Sequence, residues 1–455
     1  MRSKAKSPKR NPKAPAAAGK SASGHPAYEL MGTDVVELSD HSQPPYMGTD
    51  GAIFQLKNGT LMLAQGGGII ESSQKSSVYR ISKDDGKTWS EPRSLGCEMG
   101  VGGIIRLQSG VLAVYGRKAG ASTDVYFCSS KDEGKTWTHP LRIPTYPDFH
   151  PMFHSMVQLS NGRLLLTGYW EARELDCHPP DLLPITDTRW GWWRGVELFM
   201  EGHRAPEMGI CKVYYSDDEG AGWKECHGGL LGWFNEEGVP DGTIGITDVY
   251  EPTLAETKDG RVLLFARCRR GRIVQSYSLD QGQTWYSMQP TELASSQAPP
   301  MLVRIPSNGD LLCVWNQVSG EEIRRGFHRG RLSAAISKDS GLTWGHFKTI
   351  ELQEGMEDGG RIAPDFPILA NVRGNPGLGQ LPDGFAMFTY PNVDIVGQTV
   401  FVRYMRMRPV WLNRQGKKES SESFTPRMWP REEDKKAEMK GEGVMRIYPL
   451  RWFYE

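Results

Sequence analysis

The stretch SKDDGKTW, Ser82 to Trp89, decides the fold because the chain repeats it. It returns as SKDEGKTW (Ser130 to Trp137), SDDEGAGW (Ser216 to Trp223), SLDQGQTW (Ser278 to Trp285) and SKDSGLTW (Ser337 to Trp344). The shared pattern is Ser-x-Asp-x-Gly-x-Thr-Trp, with Gly222 in place of Thr in the third copy. Each copy predicts a hairpin turn: Asp and Ser bond the turn's own backbone, Gly takes the positive-φ position, and Trp is buried beneath it. Five copies in register predict a repeat architecture.

A second signal runs between these boxes, a polar-Gly turn followed by an apolar run. It reads NGTLML from Asn58, SGVLAV from Ser109, NGRLLL from Asn161, DGRVLL from Asp259, NGDLLC from Asn308 and DGFAMF from Asp383. Asn-Gly and Asp-Gly between apolar residues are strong hairpin signals. Each unit therefore reads as strand, tight turn, buried strand, third strand, Asp-type turn and outer strand. Six such four-stranded units arranged radially make an all-β, six-bladed β-propeller, with only short protected edges. The sixth unit has the Gly turn but no recognisable box. The blades are expected to start near Met47, Met99, His150, Thr247, Ala298 and Pro364. VVELS, from Val35, reads as a strand able to complete the last blade by pairing the N-terminal chain with the C-terminal chain.

The boxes resemble the Asp-boxes of the sialidase (neuraminidase) superfamily, BNR-repeat propellers with six blades, across residues 35 to 411. In that superfamily the boxes sit on the blade rims, away from the central pocket. The resemblance thus assigns them a structural role and no catalytic one.

Composition fits this architecture. The 455 residues include 14 Trp and 52 Gly, and 38% are apolar, which suits many short strands and turns. Lys+Arg and Asp+Glu balance at 54 each, so charge argues for neither nucleic acid nor a membrane surface. No apolar run reaches membrane-spanning length. The seven Cys lack a disulfide or zinc spacing and read as reduced packing residues. No metal and no cofactor is expected. Residues 1–30 are basic and rich in Ala, Pro and Ser without an apolar h-region, so they read as a disordered tail rather than a Sec signal. A transit or anion-binding segment is the alternative for this tail, and a cytoplasmic location is expected. The propeller is assigned to residues 31–412, with a long blade-three insertion near 169–210. Residues 413–455 read as a charged excursion followed by a C-terminal segment that docks on the propeller or contacts another subunit. The oligomeric state is left open.

Long loops in compact repeats are usually functional. Trp190, Trp192 and Trp193 of the blade-three insertion therefore have two readings, stacking on sugar faces or packing against the propeller.

In a propeller the inner ends of the blades face the axis. The start of each first strand and the end of each second strand supply the pocket residues. Those positions give Asp50, Arg117, His154 with Tyr169, Glu251 with Arg267, Asn316 with Gln317, and Asn375 with Tyr390. Convergent polar groups of this kind suit a carbohydrate. The stretch from Glu251 to Arg267, across an Asp-Gly turn, resembles the sialidase segment that carries the acidic partner of the nucleophile and one arginine of the carboxylate-binding triad. Arg329, in RGRLSAAISKDSGLTW, falls at a second triad position. Guanidinium pairs fork onto a carboxylate better than Lys does. The triad's first arginine has no counterpart, since Thr49 stands near its place. Glu71 lies where the acid/base Asp belongs, and Asn375 lies where the nucleophilic Tyr opens blade six. Tyr390 falls on the next strand. Asp50, Glu171, His150, His154 and Asp394 are further groups within reach of a pocket. His150 and His154 lie four apart on a strand and share a face, which admits a substrate-binding, structural or metal role.

Two functions follow. The first is an exo-acting glycoside hydrolase for a terminal acidic sugar, with Glu251, Tyr390 and Asp50 as catalytic candidates. Arg267, Arg329, Arg117, His154 and Tyr169 are its substrate-binding candidates. The second is a non-catalytic carbohydrate-binding or protein-scaffolding propeller that retained two arginines.

Overall fold

In a computed structural model of the chain, every box closes as its composition dictates. In the first, Ser82 Oγ accepts from the Gly86 amide at 2.9 Å, and Asp84 Oδ1 accepts from the Thr88 amide at 2.9 Å. Gly86 has φ 89° and the preceding Asp85 has φ 57°. Consecutive positive-φ residues are what a turn matching the twist of its flanking strands requires. The other four boxes repeat the pattern at Glu133, Glu219, Gln281 and Ser340. One expectation needs correction: only Trp223 is buried, and Trp89, Trp137, Trp285 and Trp344 are half-buried. Trp89, Trp223 and Trp285 donate their indole N–H to the box Gly carbonyl, while Trp137 donates to Leu95.

The structure describes residues 35–37, 51–66, 77–118, 124–147, 149–173, 188–200, 207–235, 244–365, 379–411 and 437–455. These form six four-stranded antiparallel sheets and two additional two-stranded hairpins. Blade one comprises Ala52–Gln55, Leu61–Gln65, Val78–Ser82 and Arg93–Ser94. Blade two comprises Gly100–Arg106, Leu112–Arg117, Tyr126–Ser130 and Leu141–Arg142. Blade three has His150–Gln158, Leu164–Arg173, Glu207–Ser216 and Lys224–Glu225. Blade four has Tyr250–Glu256, Val262–Arg267, Arg272–Ser278 and Gln289–Ala294. Blade five has Met301–Arg304, Leu311–Trp315, Arg331–Ser337 and Gly345–Leu352. In each of these five, the box follows the third strand.

Blade six is built differently. Its order is Met387–Val396, Thr399–Trp411, Ala437–Pro449 and, outermost, Val35–Glu37. Val35 pairs with Arg446, so both ends of the described chain meet in one sheet. Residues 437–449, expected to dock on the propeller or contact another subunit, are its third strand. The Asp383-Gly384 turn precedes the first strand instead of following it, and the hairpin turn falls at Gly397, φ 60°. Met387–Val396 is thus the innermost strand of its blade.

The first strands of successive blades touch in cyclic order and close the ring around an axis. Each of the six inter-blade seams has its own apolar core. Ile53, Leu63, Phe401 and Met445, for example, join blade one to blade six. Of the seven cysteines, the six described are all buried and unbridged. Among the described residues no helix is long and apolar enough to cross a membrane.

Candidate active site

Two residues at the axis share an unusual backbone. Glu251 has φ 48° and Tyr390 has φ 54°, and each is followed by proline, Pro252 and Pro391. Proline supplies no amide to a ladder and crowds the residue before it, so strand pairing breaks there. The register of blade four shifts between Tyr250 and Thr253, and that of blade six between Thr389 and Asn392. The two interruptions bring the side chains together across the axis. Tyr390 Oη donates to Glu251 Oε1 at 3.2 Å, and Arg267 Nη1 donates to Glu251 Oε2 at 2.6 Å. Arg267 closes the neighbouring strand of blade four, with Tyr250 as its partner in register.

Arg329 completes the group. Its guanidinium carbon sits 5.7 Å from the centroid of the Tyr390 ring. Arg329 also donates to Thr389 Oγ1 and, at 3.0 Å, to the Gln297 carbonyl. Glu251 is 6% exposed and Arg329 9% exposed, so these charges interact in a largely dry setting. Burial by itself lowers the Arg267 guanidinium, but the Glu251 carboxylate, Tyr390 and Tyr169 together outweigh it and the net shift is upward. Arg329 is shifted down, by burial and then by the like charge of Arg267. Burial first, and then the Glu251 charge, pushes the Tyr390 phenol above its ordinary value, so it keeps its proton at neutral pH. A cleft beside the group is lined by Met152, Glu251, Thr253, Met301 and Tyr390 together with prolines.

An aromatic wall continues into the neighbouring blades. Tyr169 meets Tyr250 edge-on at 5.6 Å and stacks on His150 at 5.2 Å. Arg117 Nη2 donates to the Phe149 carbonyl at 3.0 Å and lies 3.2 Å from His150 Nδ1.

Other sequence candidates fall elsewhere. Asn316 is fully buried, with its amide donating to the Arg331 and Phe388 carbonyls, and so ties blade five to blade six. Gln317 donates to Ser333 and to the Gly360 carbonyl. Both are committed to the scaffold because the second strand of blade five ends at Trp315, before them. Asp394 is buried in an ion pair with Arg403 at 2.9 Å, and Arg403 holds the Gly51 carbonyl of blade one. Trp190 and Trp193 are 2% and 3% exposed and pack against the propeller, which decides the alternative for these two, while Trp192 is half-buried. Thr49, Asp50, Glu71 and Asn375 lie outside the described residues, as do the side chains of His154 and Glu171. Among the described residues no group of three His, Cys, Asp or Glu is arranged to hold a metal. Thr389, Tyr250 and the Gln297 carbonyl were not among the sequence candidates. The signal that aligns Tyr390 with Glu251 is the recurring X-Pro in the innermost strand: His150-Pro151, Glu251-Pro252 and Tyr390-Pro391.

Residues 107–401 match the family described as the BNR repeat-like domain. No curated protein matches the sequence significantly. Among solved structures, the chain is similar to a protein of unknown function from Dyadobacter fermentans DSM 18053, at 16% identity and TM-score 0.49 over 91% of this chain and 100% of the other. It is also similar to a Hadza microbial sialidase, at 16% identity and TM-score 0.44, over 78% of this chain and 62% of that one. A variant of NanB sialidase from Streptococcus pneumoniae gives 12% identity and TM-score 0.47, over 91% and 70% of the two chains. The chain thus spans less than two thirds of the Hadza sialidase.

Proposed function

The chain belongs to the BNR repeat-like domain family, and from that premise we propose that it is a sialidase-like exo-glycoside hydrolase acting on a terminal acidic sugar. The observation that carries the reading is the contact of Tyr390 Oη with Glu251, flanked by two arginines. A phenol is a suitable nucleophile where an anionic substrate would repel a carboxylate. Glu251 takes the phenol proton as Tyr390 Oη bonds to the anomeric carbon. The bond to the leaving-group oxygen breaks as that oxygen is protonated. Water then hydrolyses the glycosyl–tyrosine bond. The proton donor to the leaving group is assigned to Asp50, a candidate from its position at the start of blade one's inner strand, since the sialidase resemblance offers only Glu71 where the acid/base Asp belongs. Arg267 and Arg329 are the carboxylate clamp, and Tyr169 and His150 offer an aromatic flank to the ring.

Two measurements test this: hydrolysis of chromogenic α-sialosides against neutral glycosides, and calorimetric binding of acidic and neutral sugars. Arg329→Lys is the informative variant, because it keeps a charge but loses the fork, and among the described residues Arg329 has no carboxylate partner to orphan. Acidic-sugar affinity should fall about tenfold to a hundredfold, with neutral sugars unaffected. Arginine-dependent binding without turnover would make the protein a carbohydrate-binding propeller instead. A neutral ligand indifferent to Arg329→Lys would sink both readings.

A further inference from the structure

The long insertion of blade three does not stay on its own blade. Its hairpin, Thr188–Trp193 paired with Val196–Met200, reaches a segment that belongs to the opposite side of the ring. The Trp192 amide donates to the Gly379 carbonyl at 3.0 Å, and the Leu381 amide donates to the Trp192 carbonyl at 2.8 Å. Trp193 Nε1 donates to the Asp383 carbonyl at 3.0 Å, and Arg194 pairs with the Asp383 carboxylate at 3.0 Å. Trp190, Trp193, Val196 and Leu198 share an apolar core with Phe327 of blade five and with Phe385 and Met387 at the entry to blade six.

That core abuts two site residues. Phe327 lies two positions before Arg329, and Met387 lies three before Tyr390. The Phe388 amide donates to the Arg329 carbonyl at 2.9 Å, so the two segments are also joined to each other. Contact with the hairpin is close enough to dictate a residue: Gly326 has φ 88°, and a Cβ there would lie 1.5 Å from the Trp190 carbonyl oxygen. We propose that the blade-three hairpin is a brace that positions Arg329 and Tyr390, with Trp190 as its key positioning residue. The inference rests on the reading of those two residues as the site. It explains why a loop emerging from blade three carries buried tryptophans, since the two segments it clamps have only one mutual backbone bond among those described. Without the brace, the guanidinium and the phenol would hold their separation less tightly, and preorganisation is what such a site depends on.

Trp190 offers a clean test because its indole N–H is buried with no hydrogen-bond partner among the described residues. Trp190→Phe therefore removes no bond and should behave as wild type, whereas Trp190→Ala empties the contact with the Phe385 ring, 6.4 Å away. In the full chain, Trp190→Ala should speed hydrogen–deuterium exchange in peptides covering residues 325–330 and 385–391 at least about tenfold. Exchange in blades one and two should stay unchanged. Turnover of an acidic chromogenic glycoside should lose about tenfold in kcat with a smaller change in KM, and Trp190→Phe should restore it. If Trp190→Ala does not fold, Trp190→Leu reads the same peptides. Unchanged exchange at 325–330 and 385–391, or a Phe variant as impaired as Ala, overturns the brace. The exchange result stands without any activity, so failure of the glycosidase reading and failure of the brace are told apart.

Discussion

Glu251 and Tyr390 carry a cost that their neighbours do not. A bulky residue at positive φ before proline is disfavoured by roughly 1–3 kcal/mol, and both adopt that state, at 48° and 54°. Such strain persists where the surrounding structure over-determines it, and it is one reason for proposing these two positions as the site. Their environments differ, and that separates two variants. Tyr390→Phe removes the hydroxyl facing Glu251 but leaves the Glu251–Arg267 pair intact. Turnover should vanish, with Tm nearly unchanged and acidic-sugar binding within a few-fold of wild type. Glu251→Gln should also abolish turnover, but it leaves Arg267 as a buried cation without its counter-charge, at about 3–5 kcal/mol. Its Tm should therefore fall clearly. Equal melting temperatures for the two variants would contradict the ion pair, and residual turnover in Tyr390→Phe would remove it as nucleophile. At this scale the sequence was half legible. Glu251 and Arg267 are found by their strand positions, but Tyr390 is misassigned by one strand because Asp383-Gly384 imitates a hairpin turn.

The box is the element that the sequence reveals most completely, because its bonds are local: Ser to Gly, Asp to the residue four ahead. It is also a fastener between blades, which local reasoning does not reach. A Cβ on Gly86 would stand 2.5 Å from the Phe401 ring of blade six, so this Gly answers to close approach as well as to φ. The boxes should give the fold an acid limit. Asp132 is held down to about 2, chiefly by the Thr136 hydroxyl and then by its amide. For Asp84, Asp280 and Asp339 burial pulls upward, but the corresponding two Thr bonds, joined by the box Ser hydroxyl and the Asp's own amide, win and the carboxyl stays low. Asp218, facing Gly222 instead of Thr, is lowered mainly by the Gly222 amide. A carboxyl depressed on folding contributes stability above its unfolded value, about 3.9, and loses it as pH falls toward the folded value. Tm should be flat from pH 7 to about 5 and should fall between about 4 and 2. Asp132→Asn should start lower and show a shallower acid slope. A Tm independent of pH down to 2 would refute the account.

The ring closes by a device that depends on the whole chain. Blade six takes its two inner strands from residues 387–411, its third from 437–449 and its outermost from 35–37. The apolar alternation of Val35 and the final apolar stretch are visible in the sequence. Their partnership is expected only from the closure a propeller needs, because pairing across more than four hundred residues leaves no local turn signal; the register that matches Val35 with Arg446 is set by the closed geometry. The two ends do not contribute equally. Val35–Glu37 is a three-residue edge strand, whereas the C-terminal segment puts Val444, Tyr448, Leu450 and Phe453 into the seam between blades five and six. Burying each such side chain contributes about 1.5–3 kcal/mol, so their joint loss rivals the roughly 5–15 kcal/mol by which a domain is stable. A chain beginning at residue 41 should therefore fold and melt cooperatively, several degrees below one beginning at residue 31. A chain ending at residue 436 should not yield a soluble cooperative fold, as judged by thermal melting and size-exclusion chromatography. A C-terminal truncation that melts like the full chain would mean that the ring closes without its third strand. That outcome would remove the reason for Tyr390 to be held at the axis, because Met387–Val396 owes its place there to the sheet behind it.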